Sequence, residues 1–258
     1  MIATNRRTGI HILESDPEDR QTAPSLLFIH GAGGNATVWD EQASAFRGKA
    51  RVYRLELPGH GSSSGLGEDR IPAYGEWVRG FLEGASCRGP VVAVGHSMGG
   101  AVVLQLALDP PPLLRGIVLI GTGAKLGVMP AIFQLLATDP EGFFRTIDLV
   151  AYGPTASEEF KKKGTAMIRR CPVEVISKDF RACDRFDVRA KLPDIRIPSL
   201  ILCGQEDKLT PVRYSTFLHE RIPCSRLVVI PDAGHMVMVE RPEPVNQAIE
   251  EFLSSLPA

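Results

Sequence analysis

Val91-Val92-Ala93-Val94-Gly95-His96-Ser97-Met98-Gly99-Gly100 decides how the rest of the chain is read. Its first four residues are apolar and mostly β-branched, which suits a central parallel strand covered on both faces. The segment from Gly99 to Leu108 has the composition of a buried helix. Gly95 and Gly99 flank Ser97 two residues to either side, where a missing Cβ lets strand and helix approach around a strained serine. This is a nucleophile elbow. It aims the Ser97 hydroxyl into a cleft and turns the Met98 N–H and the helix N-terminus toward a developing oxyanion.

The same pattern occurs at Gly61-Ser62-Ser63-Ser64-Gly65, so the motif needs its context. Pro58-Gly59-His60 precedes that second copy and Gly67-Glu68-Asp69 follows it. No strand enters and no helix leaves, and Ser63 reads as loop.

Working outward, Ile10 to Glu14 reads as an early strand, Ser15 to Pro24 as a turn, and Ser25 to His30 as a central strand. His30-Gly31-Ala32-Gly33-Gly34-Asn35 then forms a glycine-rich loop whose N–H groups can approach a ligand, with Ala32 or Gly33 supplying a second oxyanion donor. Neither dinucleotide nor P-loop spacing is present, which argues against a nucleotide. A helix is expected over Ala36 to Phe46, a strand over Arg51 to Leu57 and a helix over Ile71 to Glu83. In the last of these, Trp77, Val78, Phe81 and Leu82 form a core stripe.

Asp109-Pro110-Pro111-Pro112 stops the elbow helix. Two further buried strands follow, Gly116 to Gly121 and Ser199 to Gly204, and the stretch between them is too long for a simple crossover. Leu126 to Leu136, Pro140 to Val150, Ser157 to Arg170 and Val173 to Ala182 read as short helices of a cap. The last quarter alternates helix Pro211 to Arg221, strand Arg226 to Ile230 and helix Glu243 to Leu253. The fold class is therefore α/β: a mostly parallel central sheet with helices on both faces and a small helical cap inserted between two strands. Residues 1–121 and 188–258 form the core, and 122–187 the cap.

With a net charge of −1, nothing in the composition points to a nucleic-acid footprint, and no nucleic-acid partner is expected. Five scattered cysteines make no disulfide framework, and Cys203 reads as core packing. Arg6-Arg7 is not followed by the apolar run of a signal peptide, and no segment is long enough to span a membrane. These features predict a cytoplasmic protein.

Two further loops at strand ends carry chemistry: Gly204-Gln205-Glu206-Asp207-Lys208-Leu209-Thr210-Pro211 and Pro231-Asp232-Ala233-Gly234-His235-Met236. Ser97, Asp207 and His235 thus occur in the order used by nucleophile-elbow enzymes. The chain resembles the α/β-hydrolase family, and within it the capped serine esterases that include pimeloyl-carrier-protein methyl ester esterases. His30-Gly31, Leu57-Pro58-Gly59-His60-Gly61, Gly95-His96-Ser97-Met98-Gly99-Gly100, Gly204-Gln205-Glu206-Asp207 and Gly234-His235 carry the resemblance. It implies Ser97 as nucleophile, His235 as general base, Asp207 as orienting acid, and Met98 and Ala32 as backbone oxyanion donors. The chemistry agrees, because a serine hydroxyl needs a base active near neutral pH and a carboxylate to hold the imidazole tautomer.

Among rivals, His96 is expected to point away from Ser97 along the strand, while His30 and His60 precede or shape turns. His11 and His219 belong to strand and helix surfaces. Asp232 and Glu206 compete with Asp207 for the acid, and Thr122-Gly123-Ala124-Lys125, where some relatives place it, contains no carboxylate.

The expected activity is hydrolysis of a small to medium, largely apolar ester through an acyl-serine intermediate, with no cofactor and no metal. Gly31, Gly33, Phe133, Leu136, Phe144 and Met236 are the expected substrate contacts. Carbon–carbon bond hydrolases and cofactor-free perhydrolases share the triad, although the former usually carry Asn where this chain has His96. A ligand receptor on the same fold is the alternative from another class. Lys161-Lys162-Lys163 and Arg169-Arg170 offer docking for an anionic acyl carrier, or a solvated helix face balanced by Glu158 and Glu159.

Overall fold

A computed structural model of the chain describes residues 2–5, 10–15, 24–84 and 87–257. The Arg6-Arg7 pair and nearly all of the turn expected over Ser15 to Pro24 lie outside them. Among the described residues eight strands form one sheet: β1 (Ile2–Asn5), β2 (Ile10–Ser15), β3 (Ser25–Ile29), β4 (Val52–Leu55), β5 (Val91–His96), β6 (Leu114–Ile120), β7 (Ser199–Gly204) and β8 (Ser225–Ile230). Their order is β1-β2-β4-β3-β5-β6-β7-β8. β1 pairs antiparallel with β2, and β2 antiparallel with β4; every other pairing is parallel. The hairpin partner β1 is an addition to the strands expected.

Alternation along the strands divides the interior in two. Leu27 and Ile29 of β3 join a cluster with Ala93 of β5, Val78 and Phe81 of α2 (Ile71–Leu82), and Leu104 of the later elbow helix. Leu26 and Phe28 face the opposite way, into a cluster with Trp39, Val92, Val94 and Ile249. Trp77 is only half-buried, and its Nε1 donates to Glu68 at 3.2 Å. The helix expected over Ala36 to Phe46 is a 3-10 turn, Ala36–Trp39, running into α1 (Asp40–Ala45). Val91–His96 breaks into α3 (Met98–Ala107) through Ser97 alone.

Between β6 and β7 lie α4 (Pro130–Thr138), α5 (Pro140–Val150), α6 (Glu158–Ile168) and α7 (Val173–Asp184). Local signals set their ends. Asp139 Oδ1 accepts the Gly142 N–H at 2.9 Å, and Ser157 Oγ that of Phe160 at 3.2 Å. The first helix starts at Pro130 instead of Leu126, since a residue before proline is pushed from the α region and Met129 is extended (φ −64°, ψ 133°). The two ends of the excursion meet at an isolated bridge, Lys125 to Asp187, with Val188 N–H donating to Ala124 O at 2.8 Å. Beyond a 3-10 turn (Arg189–Asp194) come β7, α8 (Val212–Arg221), β8, the short α9 (Val237–Glu240) and α10 (Pro242–Ser255). Among the described residues no helix is long and apolar enough to cross a membrane.

Candidate active site

Parallel register brings the strand ends level. Ile29 lies opposite Gly95, His96 opposite Ile120, Ile120 opposite Leu202 and Gly204 opposite Ile230. The loops after β3, β5, β7 and β8 therefore open on one edge of the sheet.

Ser97 adopts φ 53°, ψ −117°, a conformation that L-residues rarely occupy. Its N–H donates to Ile120 O at 2.9 Å, and its carbonyl accepts from Thr122 Oγ1 at 2.8 Å and Ala101 N–H at 3.2 Å. These bonds hold the strained residue. The flanking glycines are steric requirements: a Cβ on Gly95 would collide with the Gly99 carbonyl, and one on Gly99 with the Ile29 carbonyl. Met98 is the first residue of α3, where the N–H has no intrahelical partner.

His235 and Asp207 are both nearly buried and are joined from Nδ1 to Oδ2 at 2.9 Å. Asp207 Oδ1 accepts the N–H groups of Leu209 (2.9 Å) and Thr210 (2.8 Å), and Oδ2 also accepts Thr210 Oγ1 at 2.8 Å. Burial favours the neutral acid, but His235 and the Thr210 hydrogen bonds outweigh it and hold the carboxyl well below its usual range. A carboxylate on Nδ1 fixes the tautomer that leaves His235 Nε2 with a lone pair. Thr210 was not singled out from sequence, although its spacing from Asp207 is that of a side chain folding back on an Asx turn. The rival acids are elsewhere: Asp232 is exposed beside Arg241 at 3.8 Å, and Glu206 is exposed.

Ser97 and His235 line one cavity of about 70 Å³, with Gly31, Ala32, His96 and Met236 and the apolar side chains Val38, Ile147, Met167, Ile168, Phe180 and Leu209. Gly31, Ala32 and Met236, expected from the sequence as substrate or oxyanion contacts, are on that lining. Phe133, Leu136 and Phe144 lie outside the lining. Leu136 and Phe144 are buried in the apolar cluster between insertion and sheet, and Phe144 stacks under the Arg169 guanidinium at 4.5 Å. Gly33 is buried with its N–H on Asp179, also outside the lining. Helical periodicity marks these residues of the insertion as apolar but cannot tell the lining face from the packing face.

His96 also corrects the expectation. It lines the cavity, its ring lies 4.7 Å from that of His235, and its Nε2–H donates to the His235 carbonyl at 3.0 Å. Burial, then the neighbouring His235, lowers it to about 3, so it stays neutral and supports the His235 loop. His30 is likewise a structural group: Nδ1 donates to Gly31 O at 2.8 Å and Nε2 accepts Leu57 N–H at 3.1 Å. Ser63 donates to Glu56 O at 2.6 Å and accepts His11 N–H at 2.7 Å, which ties down its loop. In the basic runs, Lys161 pairs with Glu158 at 2.8 Å and Arg169 with Glu141 at 2.5 Å.

A chamber with a serine on one wall and a carboxylate-bound imidazole on another is the equipment of a hydrolase. The chain belongs to the alpha/beta hydrolase family, whose sequence profile matches residues 26–248. It is 31% identical to 3-oxoadipate enol-lactonase 2 of Acinetobacter baylyi, over 89% of this chain and 88% of that one. It is 28% identical to the pimeloyl-[acyl-carrier protein] methyl ester esterase of Aeromonas hydrophila, over 89% of this chain and 95% of the relative. Among solved structures, a thermophilic esterase superposes with a TM-score of 0.81 at 36% identity, covering 95% of this chain and 93% of its own. The protein is a hydrolase of the esterase type.

Proposed function

We propose that the protein hydrolyses carboxylic esters through an acyl-Ser97 intermediate, with His235 as general base and Asp207 as its orienting partner. Ser97 Oγ attacks the ester carbonyl while His235 Nε2 takes its proton. The oxyanion forms against the Met98 and Ala32 N–H groups, and His235 returns the proton to the leaving alcohol. Water, activated by the same imidazole, then releases the acid and regenerates Ser97. One observation carries this reading: His235 is locked by Asp207 in the tautomer with a free Nε2 and lines the same small chamber as strained Ser97.

The apolar lining and volume of about 70 Å³ favour a small apolar group beside Ser97. An adjoining cleft of about 450 Å³ shares Val38, Met167 and Met236 with it and supplies room for the remainder of the substrate. Cyclic esters belong to the same chemistry, as the name of the enol-lactonase relative indicates. Residues 122–187 serve as the cap that closes this site. In a panel of p-nitrophenyl esters from acetate to octanoate plus simple lactones, turnover is expected to fall at least about 10³-fold in Ser97→Ala. Turnover of the whole panel no faster than that of Ser97→Ala would instead fit a receptor.

A further inference from the structure

Asp179 of α7 is a fully buried carboxylate whose partners all lie more than a hundred residues away in sequence. Its Oδ2 accepts the Gly33 N–H at 2.8 Å and His60 Nε2–H at 2.8 Å, and its Oδ1 accepts the Tyr74 hydroxyl at 2.5 Å. His60 Nδ1 lies 3.0 Å from the Pro58 carbonyl. Both ring nitrogens therefore face acceptors, which an imidazolium alone satisfies. Burial opposes that charge, but Asp179 outweighs it and raises His60 from 6.5 to about 10. The other titratable groups against His60 are Cys171, the His30 ring at 4.7 Å and the Tyr74 ring at 6.3 Å. His30 is kept neutral by burial and by His60, and Tyr74 is kept protonated by burial and by Asp179.

An ion pair alone would only tether the insertion to the body. The third partner, Gly33 N–H, reaches the site. The carbonyl of the Gly31–Ala32 peptide is held by Gly34 N–H at 3.0 Å and by His30 Nδ1–H at 2.8 Å, which directs the Ala32 N–H of that planar unit the opposite way. Asp179 pins the next peptide through Gly33 N–H, at a residue whose φ of +65° leaves the turn otherwise free to flip. Two consecutive peptide planes beside Ser97 are thereby fixed, one of them by a residue of the insertion.

We propose that Asp179 is a positioning residue: through Gly33 it holds the turn after β3 so that the Ala32 N–H meets the developing oxyanion on substrate at Ser97. The role rests on the ester-hydrolase reading above. It makes the second oxyanion donor depend on a seated α7, so insertion and catalytic loop act as one unit.

The test compares Asp179→Ala with Tyr74→Phe, which removes a different bond to the same carboxylate and leaves the Gly33 bond in place. With p-nitrophenyl butyrate, at a temperature where both variants are folded by circular dichroism, Asp179→Ala should lose about 10- to 100-fold in kcat with KM within about twofold. Its affinity for butylboronic acid, which forms a tetrahedral adduct on serine, should weaken in parallel. Tyr74→Phe should lower Tm yet keep kcat and boronate affinity within about twofold. Should Asp179→Ala not fold, Asp179→Leu, close in shape and likewise without an acceptor for Gly33 N–H, carries the same comparison. A kcat retained in the Asp179 variant, or lost equally in both variants, overturns the positioning role. Ser97→Ala run alongside separates the two readings: turnover that survives there overturns the ester-hydrolase assignment itself, whereas turnover lost there but intact without Asp179 overturns only the proposal.

Discussion

At the residue scale, the electrostatics of the site rest on a few hydrogen bonds. Asp207 is ionised because four donors converge on its two oxygens in a nearly dry place, and a carboxylate in that state holds the His235 tautomer. Asp207→Asn is expected to leave the fold intact and to cut kcat by about 10³- to 10⁴-fold, since an amide neither fixes that tautomer nor stabilises the imidazolium. Asp232→Asn, at an exposed carboxylate, should keep kcat within about twofold. Steady-state kinetics with p-nitrophenyl butyrate checks both, and the reverse pattern would transfer the acid to Asp232. Asp207 was legible in sequence from its place after a strand end and before His235 in chain order. Thr210 was not, because a threonine three residues on gains meaning only once the loop folds back on the carboxylate.

At the element scale, β5 and α3 were legible because the close approach at Gly95 and Gly99 leaves a sequence mark. The junction of α7 with the body leaves none, since Asp179, His60, Tyr74 and Gly33 come from distant segments. That junction predicts a pH dependence. His60 binds its proton more tightly in the folded chain, so its stabilisation is complete below about pH 6.5 and is lost as pH rises toward about 10. His96 is shifted the other way, so its contribution is complete above about pH 6.5 and is lost as pH falls toward about 3. Urea midpoints should therefore be highest near neutrality and lower at both about pH 4.5 and about pH 9.5. Asp179→Asn, expected to cost about 3–5 kcal/mol by leaving a buried partner unpaired, should also abolish the alkaline decline. A wild-type midpoint that stays level from about pH 7 to about pH 9.5 would contradict a charged His60.

At the scale of the whole molecule, a mostly parallel sheet delivers loops to one edge, and four helices are inserted between β6 and β7. The alternation of strands and helices and the long interval between β6 and β7 made this architecture readable in advance. The walls of the chamber were not readable, because Phe144 and Leu136 share the hydrophobic pattern and the apolar cluster of Ile147 and Phe180, yet only the latter two line the chamber. Phe180, half-buried on α7, both lines the chamber and meets Phe143 edge to face at 5.5 Å. Phe180→Ala should widen the chamber and shift kcat/KM from short toward longer p-nitrophenyl esters by about tenfold relative to wild type. An unchanged chain-length profile would place the acyl group elsewhere.

The central claim is that Ser97 forms the covalent intermediate. Its most direct test is to treat the protein with a fluorophosphonate and map the modified peptide by mass spectrometry. A single adduct on Ser97, lost in Ser97→Ala and retained in Ser63→Ala, is the result predicted. An adduct that persists in Ser97→Ala, or that maps to Ser63, would contradict it.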